Sequence, residues 1–390
     1  MINKFPDYYD LLLNEIYNDK IINKHIEKKI CLKMDKFRKT LQHRNGYDVN
    51  YSEEQSFLYT MYFWPVNFFK FYYFLEILDE KTDLFDREKI SIGDIGCGTG
   101  GFFTALIYFL NVKHKKVKID YTGFDMSTEN LKYFRKYFFS KDFKKFINNP
   151  LKFNTYSGDF LEIKKFPKKD LVIVSNVYSE LSEENRDIFW KKLSVYLKKD
   201  EQSYIIINEP VNRKNNERFH VACRGFLFEN NDFSELAPNN FENQHDNSAI
   251  SDYFETVQFK TPSIWEKLWL KKDDADFVYR ILSNRKVTKS VKAKDLKDIL
   301  VKDEFIKFNA ALMTKDIYRK PKPPWRFKIT DGINDINMSD VLVDNEEHYL
   351  KLTESRIGDI FEFSGKVIRE KGKKLKSKFA IEVQKIVKLR

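Results

Sequence analysis

Residues 90 to 101 read ISIGDIGCGTGG, and this stretch decides the fold of the chain. Five of the thirteen glycines among 390 residues lie between Gly93 and Gly101. Such a concentration is typical of a backbone that turns tightly or lets a ligand approach closely. The apolar residues on either side predict a buried strand at Ile90–Ile95 and a helix over residues 101–111. A strand, a glycine turn and a helix in this order direct free backbone N–H groups at a nucleotide-like ligand.

Two classes of cofactor use such a turn. Gly96, Gly98 and Gly101 satisfy the G-x-G-x-x-G pattern of dinucleotide-binding proteins. Asp94 favours S-adenosylmethionine instead, because a carboxylate before the loop would repel a pyrophosphate and attract the ammonium of a methionine moiety. Asp125 ends the next apolar run, YTGFD, where a carboxylate can accept both ribose hydroxyls of an adenosine. A purely structural glycine turn in an α/β domain is the alternative to both.

The motifs DIGCGTG and GFD resemble the first and second motifs of the class I S-adenosylmethionine-dependent methyltransferases. The resemblance implies a Rossmann-like α/β fold with a seven-stranded sheet, and S-adenosyl-L-methionine as the cofactor. It also implies that Asp159 bonds the adenine amino group and that Phe160 packs against the ring. The cofactor-binding residues implied in this way are Asp94, Gly96, Cys97, Gly98, Thr99, Gly100, Asp125, Met126, Asp159, Phe160 and Asn176.

Strands and helices alternate from Ile90 to Asn208. Further strands are predicted at Lys118–Phe124, Leu151–Tyr156, Leu171–Ser175 and Tyr204–Asn208, with helices over 128–139 and 183–197. This alternation implies a parallel sheet, whose ligands lie beyond the carboxyl ends of the strands. Asn176 and Glu209 follow the fourth and fifth strands. We therefore take Asn176 and Glu209 as the candidate catalytic residues.

The chain is predicted to have three parts. Residues 1–85 form a helical cap, in which Pro65 starts a helix that ends at Leu78. Residues 86–335 form the methyltransferase domain, interrupted by an insertion over 212–275 whose polar Asn212–Asp252 segment is expected to extend over the site. Residues 336–390 form a basic C-terminal β extension.

The end of the methyltransferase domain is predicted from two further apolar runs. Asp276–Leu282 and Trp325–Thr330 are expected to be the last two strands of the sheet, separated by a helical excursion through Lys286–Phe308. In the C-terminal extension, Ile360–Ile368 and Phe379–Leu389 predict a hairpin or part of a small barrel.

The formal net charge of +11 is concentrated in the tail. From residue 366 to residue 390 there are ten Lys or Arg against Glu370 and Glu382, which leaves a net +3 for the first 365 residues. The tail is either a solvated face or the contact for a polyanion such as RNA. The candidate RNA-binding residues are Lys371, Lys373, Lys374, Lys376 and Lys378.

Three cysteines, Cys31, Cys97 and Cys223, are too far apart in sequence for a CxxC motif and fit a reducing compartment. His220 and Cys223, with His245 downstream, lack an evident fourth ligand, so no metal site is predicted. Acidic residues in the first twenty positions argue against a secretory or transit signal. The apolar run 57–78 contains Pro65, Asn67, Lys70 and Glu76, so no membrane span is expected. We expect a soluble intracellular protein, with the cytoplasm favoured and the mitochondrial matrix as the alternative.

The order of further motifs resembles the mitochondrial ribosomal small-subunit methyltransferase-like family and its bacterial relatives. The motifs are FPDYYDLLLNEI, FLYTMYFWPVNFFKFYYFLEIL, DLVIVSNVYSEL, IIINEP, IYRKPKPPW and HYLKLTESRIGD, spanning residues 5 to about 360. This resemblance implies binding to ribosomal RNA or to the small ribosomal subunit. The family usually carries an iron–sulfur cysteine cluster after the fifth strand, whereas only Cys223 stands there in this chain.

Three hypotheses follow. The favoured one is an S-adenosylmethionine-dependent methyltransferase acting on RNA, with small-subunit ribosomal RNA as the expected acceptor. The second is a noncatalytic ribosome assembly factor that binds the same cofactor. The third is a methyltransferase for a protein or a small molecule. Cytosine C5 chemistry needs a cysteine nucleophile, and no cysteine stands directly after the fourth strand or beside Pro210, so this chemistry is not expected.

Overall fold

The computed structural model describes residues 4–20, 32–34, 36–37, 51–138, 140–163, 166–197, 201–211, 213–230, 232–238, 255–268, 270, 274–285, 304–314, 323–330, 339–356, 358–368 and 380–389. The chain divides into two compact units. The first comprises Met1–Glu209 and Thr256–Asp276, and the second comprises Pro210–Glu255 and Phe277–Arg390. The domain boundaries at residues 85 and 335 stay a prediction.

Five parallel strands form the sheet of the first unit. They are β1 Lys89–Ile95, β2 Lys118–Asp125, β3 Leu151–Ser157, β4 Leu171–Ser175 and β5 Tyr204–Pro210. Their order across the sheet is β3-β2-β1-β4-β5, with every neighbouring pair parallel. The strand order reverses between β1 and β4, and ligands of open α/β sheets bind at such a switch point. This is the Rossmann-like α/β architecture that the sequence predicts.

Helices before and between these strands cover the sheet. They are α1 Asp7–Lys20, α2 Glu53–Lys81, α3 Gly101–Val112, α4 Thr128–Phe138 and α5 Glu183–Tyr196. Phe103 of α3 and Phe134 of α4 pack edge to face against Phe153 of β3. Ser127 and Ser182 cap α4 and α5, since their hydroxyls accept hydrogen bonds from the backbone N–H groups of Asn130 and Asn185, each at 3.2 Å.

Helix α2 begins twelve residues before the predicted start at Pro65, which lies inside it. Ser52 and Gln55 form a reciprocal capping box, with the Gln55 N–H donating to Ser52 Oγ and the Ser52 N–H to Gln55 Oε1. Tertiary packing outweighs the helix-breaking tendency of proline here, because Pro65 is buried within an almost wholly buried stretch of the helix. In the described part of the chain, no helix is both long and apolar enough to cross a membrane.

The segment after β5 contains α6 Arg213–Glu229, β6 Ser234–Ala237, β7 Glu255–Gln258, α7 Ser263–Lys267 and β8 Asp274–Ser283. Residues 213–229 of the predicted insertion are helical, and the expectation that Asn212–Asp252 extends over the site stays a prediction. Within the second unit, β6 pairs antiparallel with β8. Most of the remaining polar segment, residues 239–254, lies outside the described residues.

A closed five-stranded barrel ends the second unit. Its elements are β9 Phe305–Thr314, β10 Trp325–Thr330, β11 Ser339–Val343, α8 Glu346–Thr353, β12 Ile360–Ile368 and β13 Ala380–Lys388. The closed order is β10-β11-β13-β12-β9, around a core that includes Phe327, Val341 and Phe363.

Two predictions about this region are wrong. Trp325–Thr330 is β10 of the barrel rather than the last strand of the parallel sheet, and Phe305–Phe308 belongs to β9 rather than to a helix. The alternating pattern that places Phe327 and Ile329 in the barrel core indicates a half-buried strand, but not which sheet that strand joins. The predicted strands Ile360–Ile368 and Phe379–Leu389 are confirmed as the antiparallel pair β12 and β13.

Candidate functional site

The glycine loop after β1 has a backbone that only glycine adopts easily. Gly96, Gly98 and Gly100 have φ values of 70°, 53° and 92°. A Cβ atom on Gly96 would lie 2.4 Å from Val177 Cγ2, and one on Gly100 would lie 2.5 Å from Phe134 Cε2. The loop therefore needs glycine both for its turn and for its close approach to the residues around it.

Asp125 at the end of β2 fastens this loop. Its Oδ2 accepts a hydrogen bond from Gly98 N–H at 2.7 Å, and its Oδ1 accepts one from Ser127 N–H at 2.8 Å. Burial raises the pKa of Asp125 to about 6, although these backbone hydrogen bonds favour the charged form. Each carboxylate oxygen has a second lone pair, so Asp125 can also accept hydrogen bonds from a ligand.

Asp94 lies at the base of the loop and is 1% exposed. Tyr121 Oη donates to Asp94 Oδ2 at 2.6 Å, and burial raises the pKa of Asp94 to about 7. Asp94, Gly96, Cys97, Thr99 and Gly101 line a small cavity together with Tyr59, Trp64, Asn67, Phe71 and Ser175. Four of these residues belong to α2, a contribution that the sequence analysis missed. Asn67, a polar residue within an apolar helical run, was the available signal.

The ends of β4 and β5 meet beside the loop. Asn176 N–H donates to Asn208 O at 2.9 Å, and Tyr178 N–H donates to Glu209 Oε1 at 2.8 Å. Asn176 has a positive φ of 56°, in the left-handed region that Asn tolerates better than most residues other than glycine. Burial raises the pKa of Glu209 to about 7, although the hydrogen bonds that it accepts favour the charged form. The two candidate catalytic residues are thus brought to the same edge of the sheet.

Several buried polar atoms at this edge have no hydrogen-bond partner among the described residues. They are Asn67 Oδ1, Thr99 Oγ1, Ser175 Oγ, Asn176 Oδ1, Asn208 Oδ1 and Nδ2, and Glu209 Oε2. Leaving a buried polar group unpaired costs about 1–3 kcal/mol, so a concentration of such groups is typical of a site that binds a polar ligand. They surround the carboxyl ends of β1, β4 and β5, where an α/β sheet binds its ligands.

The remaining predicted cofactor residues lie around the ends of β2 and β3. Met126 is exposed, while Cys97 is buried and its thiol pKa is raised by burial. Asp159 caps a short 3₁₀ turn by accepting the Leu161 N–H at 2.8 Å. Phe160 is buried, and its ring packs edge to face against Phe189. The roles of Asp159 and Phe160 towards an adenine stay predictions.

The predicted RNA-binding lysines and one of the three residues considered for a metal site lie outside the described residues. Lys371, Lys373, Lys374, Lys376 and Lys378 lie outside the described residues, as does His245. His220 and Cys223 lie in α6 and are buried. Within the described ranges, no three His, Cys, Asp or Glu side chains come together as a metal site would require.

Comparisons with known proteins give neither a family nor a relative by sequence. No protein-family model matches the chain, and no curated protein matches it. A plantazolicin methyltransferase solved with a triazolic desmethylPZN analogue and SAH is 17% identical, and the match covers 67% of this chain and 99% of that protein, with a TM-score of 0.37.

Two further solved structures are similarly distant. A putative class I S-adenosylmethionine-dependent methyltransferase from Listeria monocytogenes is 14% identical, covering 73% of this chain and 81% of its own, with a TM-score of 0.37. A putative RNA methyltransferase from Pyrococcus horikoshii is 12% identical, covering 65% of this chain and 96% of its own, with a TM-score of 0.33. Because all three TM-scores are below 0.5, these likenesses carry no argument about the activity of this chain.

Proposed function

We propose that this chain is an S-adenosylmethionine-dependent methyltransferase that acts on RNA, with small-subunit ribosomal RNA as the favoured acceptor. The observation that carries the proposal is the glycine loop held between Asp94 and Asp125 at the switch point of the sheet. Its backbone turn, its two carboxylates and the unpaired polar atoms beside it fit a cofactor that combines a ribose, an adenine and a cationic amino-acid moiety.

Each part of this cofactor has a residue suited to it. Asp94 would attract the ammonium group, and Asp125 would accept the ribose hydroxyls while keeping its bonds to the loop. N–H groups at the start of α3, which begins at Gly101, would bind the methionine carboxylate. Met126, Asp159 and Phe160 would contact the adenine. The bound cofactor supplies an electrophilic methyl group.

Asn176 and Glu209 would act on the acceptor. Asn176 is held in its left-handed backbone conformation beside Asn208, so its amide is positioned before an acceptor arrives. Glu209 has a pKa of about 7, which matches that of a general base working near neutral pH, and one of its oxygens is fixed by the Tyr178 N–H. Glu209 would take up the proton that the acceptor atom loses.

The proposal of RNA as the acceptor rests on charge. The tail from residue 366 onward holds +8 of the net +11, and five of its lysines lie between residues 371 and 378. Clustered lysines bind phosphates by releasing counterions, so the interaction depends on salt rather than on base sequence.

The test is transfer of a tritiated methyl group from S-adenosylmethionine to total RNA from cells that lack the gene. We expect label in RNA, concentrated in the small-subunit ribosomal fraction, and its loss in Glu209→Gln with cofactor binding retained. Label in protein or in small molecules alone would contradict RNA as the acceptor. Cofactor binding and ribosomal-subunit binding without transfer to any substrate would indicate a noncatalytic assembly factor instead.

A further inference from the structure

The barrel of the second unit has a distinctive topology. In chain order it consists of three strands, a helix and two strands, namely β9, β10, β11, α8, β12 and β13. The third strand, β11, pairs parallel with the fifth, β13, and the other pairs around the closed barrel are antiparallel. Leu352 of α8 enters the barrel core, so the helix packs onto the barrel. This closed order, with its single parallel pair and its helix between the third and fourth strands, defines the OB-fold.

Proteins with an OB-fold bind oligonucleotides or oligosaccharides on the face of their second and third strands, next to the loops that join strands one and two and strands four and five. In this chain these strands are β10 and β11. We infer that the barrel is a binding module for single-stranded RNA, with the outward face of β10 and β11 as its contact surface. The inference deepens the proposed function and rests on it for the choice of RNA as the polymer.

The outward face of β10 is basic. Along this strand Phe327 and Ile329 are buried in the barrel core, so the alternate residues Arg326 and Lys328 are directed outward. On β11, the backbone partner of Arg326 is the buried Leu342 and that of Lys328 is Asp340. The two cations of β10 suit contact with the phosphates of an RNA strand.

In the sequence, positive charge is concentrated in the two segments that join β9 to β10 and β12 to β13. The sequence joining β9 to β10, residues 315–324, and that joining β12 to β13, residues 369–379, hold ten Lys or Arg against Asp316 and Glu370. The rest of the chain from residue 304 onward has nine Lys or Arg against eleven Asp or Glu. The charge of the barrel region is therefore carried by the segments that an OB-fold uses for binding, and this favours a polyanion over a neutral oligosaccharide.

The strand register shows where the described strands β10 and β13 begin relative to the β10–β11 face. The first connection enters β10 at Trp325, whose partner on β11 is Val343. The second enters β13 at Ala380, which pairs with Asp340, and Asp340 is also the partner of Lys328 near the other end of β10.

The test measures RNA binding by the full chain without cofactor, using fluorescence anisotropy. The probes are a labelled single-stranded RNA of about twelve nucleotides and a duplex RNA of the same length, which lies within the site size of OB-folds. The variant Arg326→Gln/Lys328→Gln removes two charges from the face. The matched control Lys307→Gln/Lys385→Gln removes two charges from exposed positions on β9 and β13, where these strands pair with β12. Thermal melting checks that both variants fold.

We expect the parent to prefer the single strand, and Arg326→Gln/Lys328→Gln to bind it about tenfold more weakly. The slope of log affinity against log salt should fall by about 1.4, the value for two lost phosphate contacts on a single strand. The control should bind like the parent. Equal losses in both variants, no loss in the first, or a preference for duplex would overturn the inference.

Calorimetry of S-adenosylmethionine on the same proteins separates the two proposals. If the protein binds the cofactor and transfers methyl groups but does not prefer single-stranded RNA over duplex RNA, the barrel inference is wrong and the proposed enzyme stands. If the protein binds single-stranded RNA through Arg326 and Lys328 but does not bind the cofactor, the proposed enzymatic function is wrong and the barrel inference stands.

Discussion

Asp94, Asp125 and Glu209 are carboxyl groups whose pKa values are raised by burial, to about 7, 6 and 7 respectively. A raised pKa in the folded state means that the folded chain holds protons which the unfolded chain releases at a lower pH. The stability contributed by these protons is present below the ordinary carboxyl pKa and is lost as pH rises through about 6 to 7. Above about pH 7 the three carboxyl groups are charged while buried, and this lowers the stability of the protein without ligand.

The first prediction concerns the pH dependence of cofactor binding. Ionised Asp94 attracts a cationic ligand and protonated Asp94 does not, so affinity for S-adenosylmethionine should fall by about tenfold between pH 8 and pH 6. Isothermal titration at a series of pH values measures this change. Asp94→Asn should bind weakly at every pH and lose the dependence near pH 7. A parent affinity that is flat across this range would contradict the assignment of Asp94.

The second prediction concerns the glycine loop. Gly96→Ala places a Cβ atom 2.4 Å from Val177 Cγ2 at a φ of 70°, so it should lower the free energy of unfolding by about 2 kcal/mol or more. Gly225 provides a matched control, because it lies in α6 with no atom near an added Cβ. Gly225→Ala should stabilise the chain by up to about 1 kcal/mol. Denaturant unfolding measures both variants, and equal effects would show that the loop is not strained by a side chain.

At the scale of elements, α2 is the helix that sequence patterns describe least well and that the site uses most. Its residues Tyr59 and Asn67 line the cavity at the glycine loop. Trp64 Nε1 of the same helix donates a hydrogen bond to Thr104 Oγ1 of α3 at 2.8 Å. Pro65 indicates a helix start by its local preference, whereas the capping box at Ser52 sets the true start. Local preference and tertiary packing favour different starts for this helix, and a single sequence shows only the local preference.

The third prediction concerns the start of α2. Ser52→Ala removes the hydroxyl that accepts the Gln55 N–H and should cost about 1 kcal/mol of stability. Because α2 lines the cofactor cavity, the variant should also weaken S-adenosylmethionine binding by a few-fold. Ser52→Asp keeps an acceptor at the cap and should behave like the parent. Equal melting temperatures for all three proteins would show that the cap contributes nothing.

Most of the parallel strands could be predicted from sequence because they are apolar runs with glycine or a polar residue at the carboxyl end, whereas β3, LKFNTYS, mixes apolar and polar residues. The same runs place Asp94, Asp125, Asn176 and Glu209 at one edge, since parallel strands end together. The sequence predicts β12 and β13 as a hairpin or part of a small barrel, but not that β9, β10 and β11 join them, because strands alternate in the same way whichever sheet they join. The backbone role of Asp125 was equally hidden, because the sequence does not show that Gly98 N–H turns towards it.

At the scale of the whole molecule, the chain combines a nucleotide-type site in one unit with a basic barrel in the other. Removing residues 366–390 would not test the tail cleanly, because β13 pairs with both β11 and β12 of the barrel. The fourth prediction therefore concerns charge alone. Replacing Lys371, Lys373, Lys374, Lys376 and Lys378 by Gln should lower RNA affinity and reduce the salt slope by about 3.5 if all five contact phosphates.

Cofactor affinity should be unchanged in this variant, because the candidate cofactor residues lie between Asp94 and Asn176. Filter binding across a salt series measures the affinity for RNA and its salt dependence, and calorimetry measures the affinity for S-adenosylmethionine. An unchanged salt slope would show that the lysines form only a solvated face. The favoured acceptor would then lose its main physical support.

The claim on which the proposed enzyme depends is that the glycine loop binds S-adenosylmethionine. The most direct measurement is isothermal titration of the full chain with S-adenosylmethionine and, separately, with NAD, repeated for Asp125→Ala. We predict saturable one-to-one binding of S-adenosylmethionine, no binding of NAD, and at least about a tenfold loss in the variant, as expected when charge-assisted hydrogen bonds are removed. Binding of NAD, or an Asp125→Ala variant that binds S-adenosylmethionine as tightly as the parent, would contradict the claim.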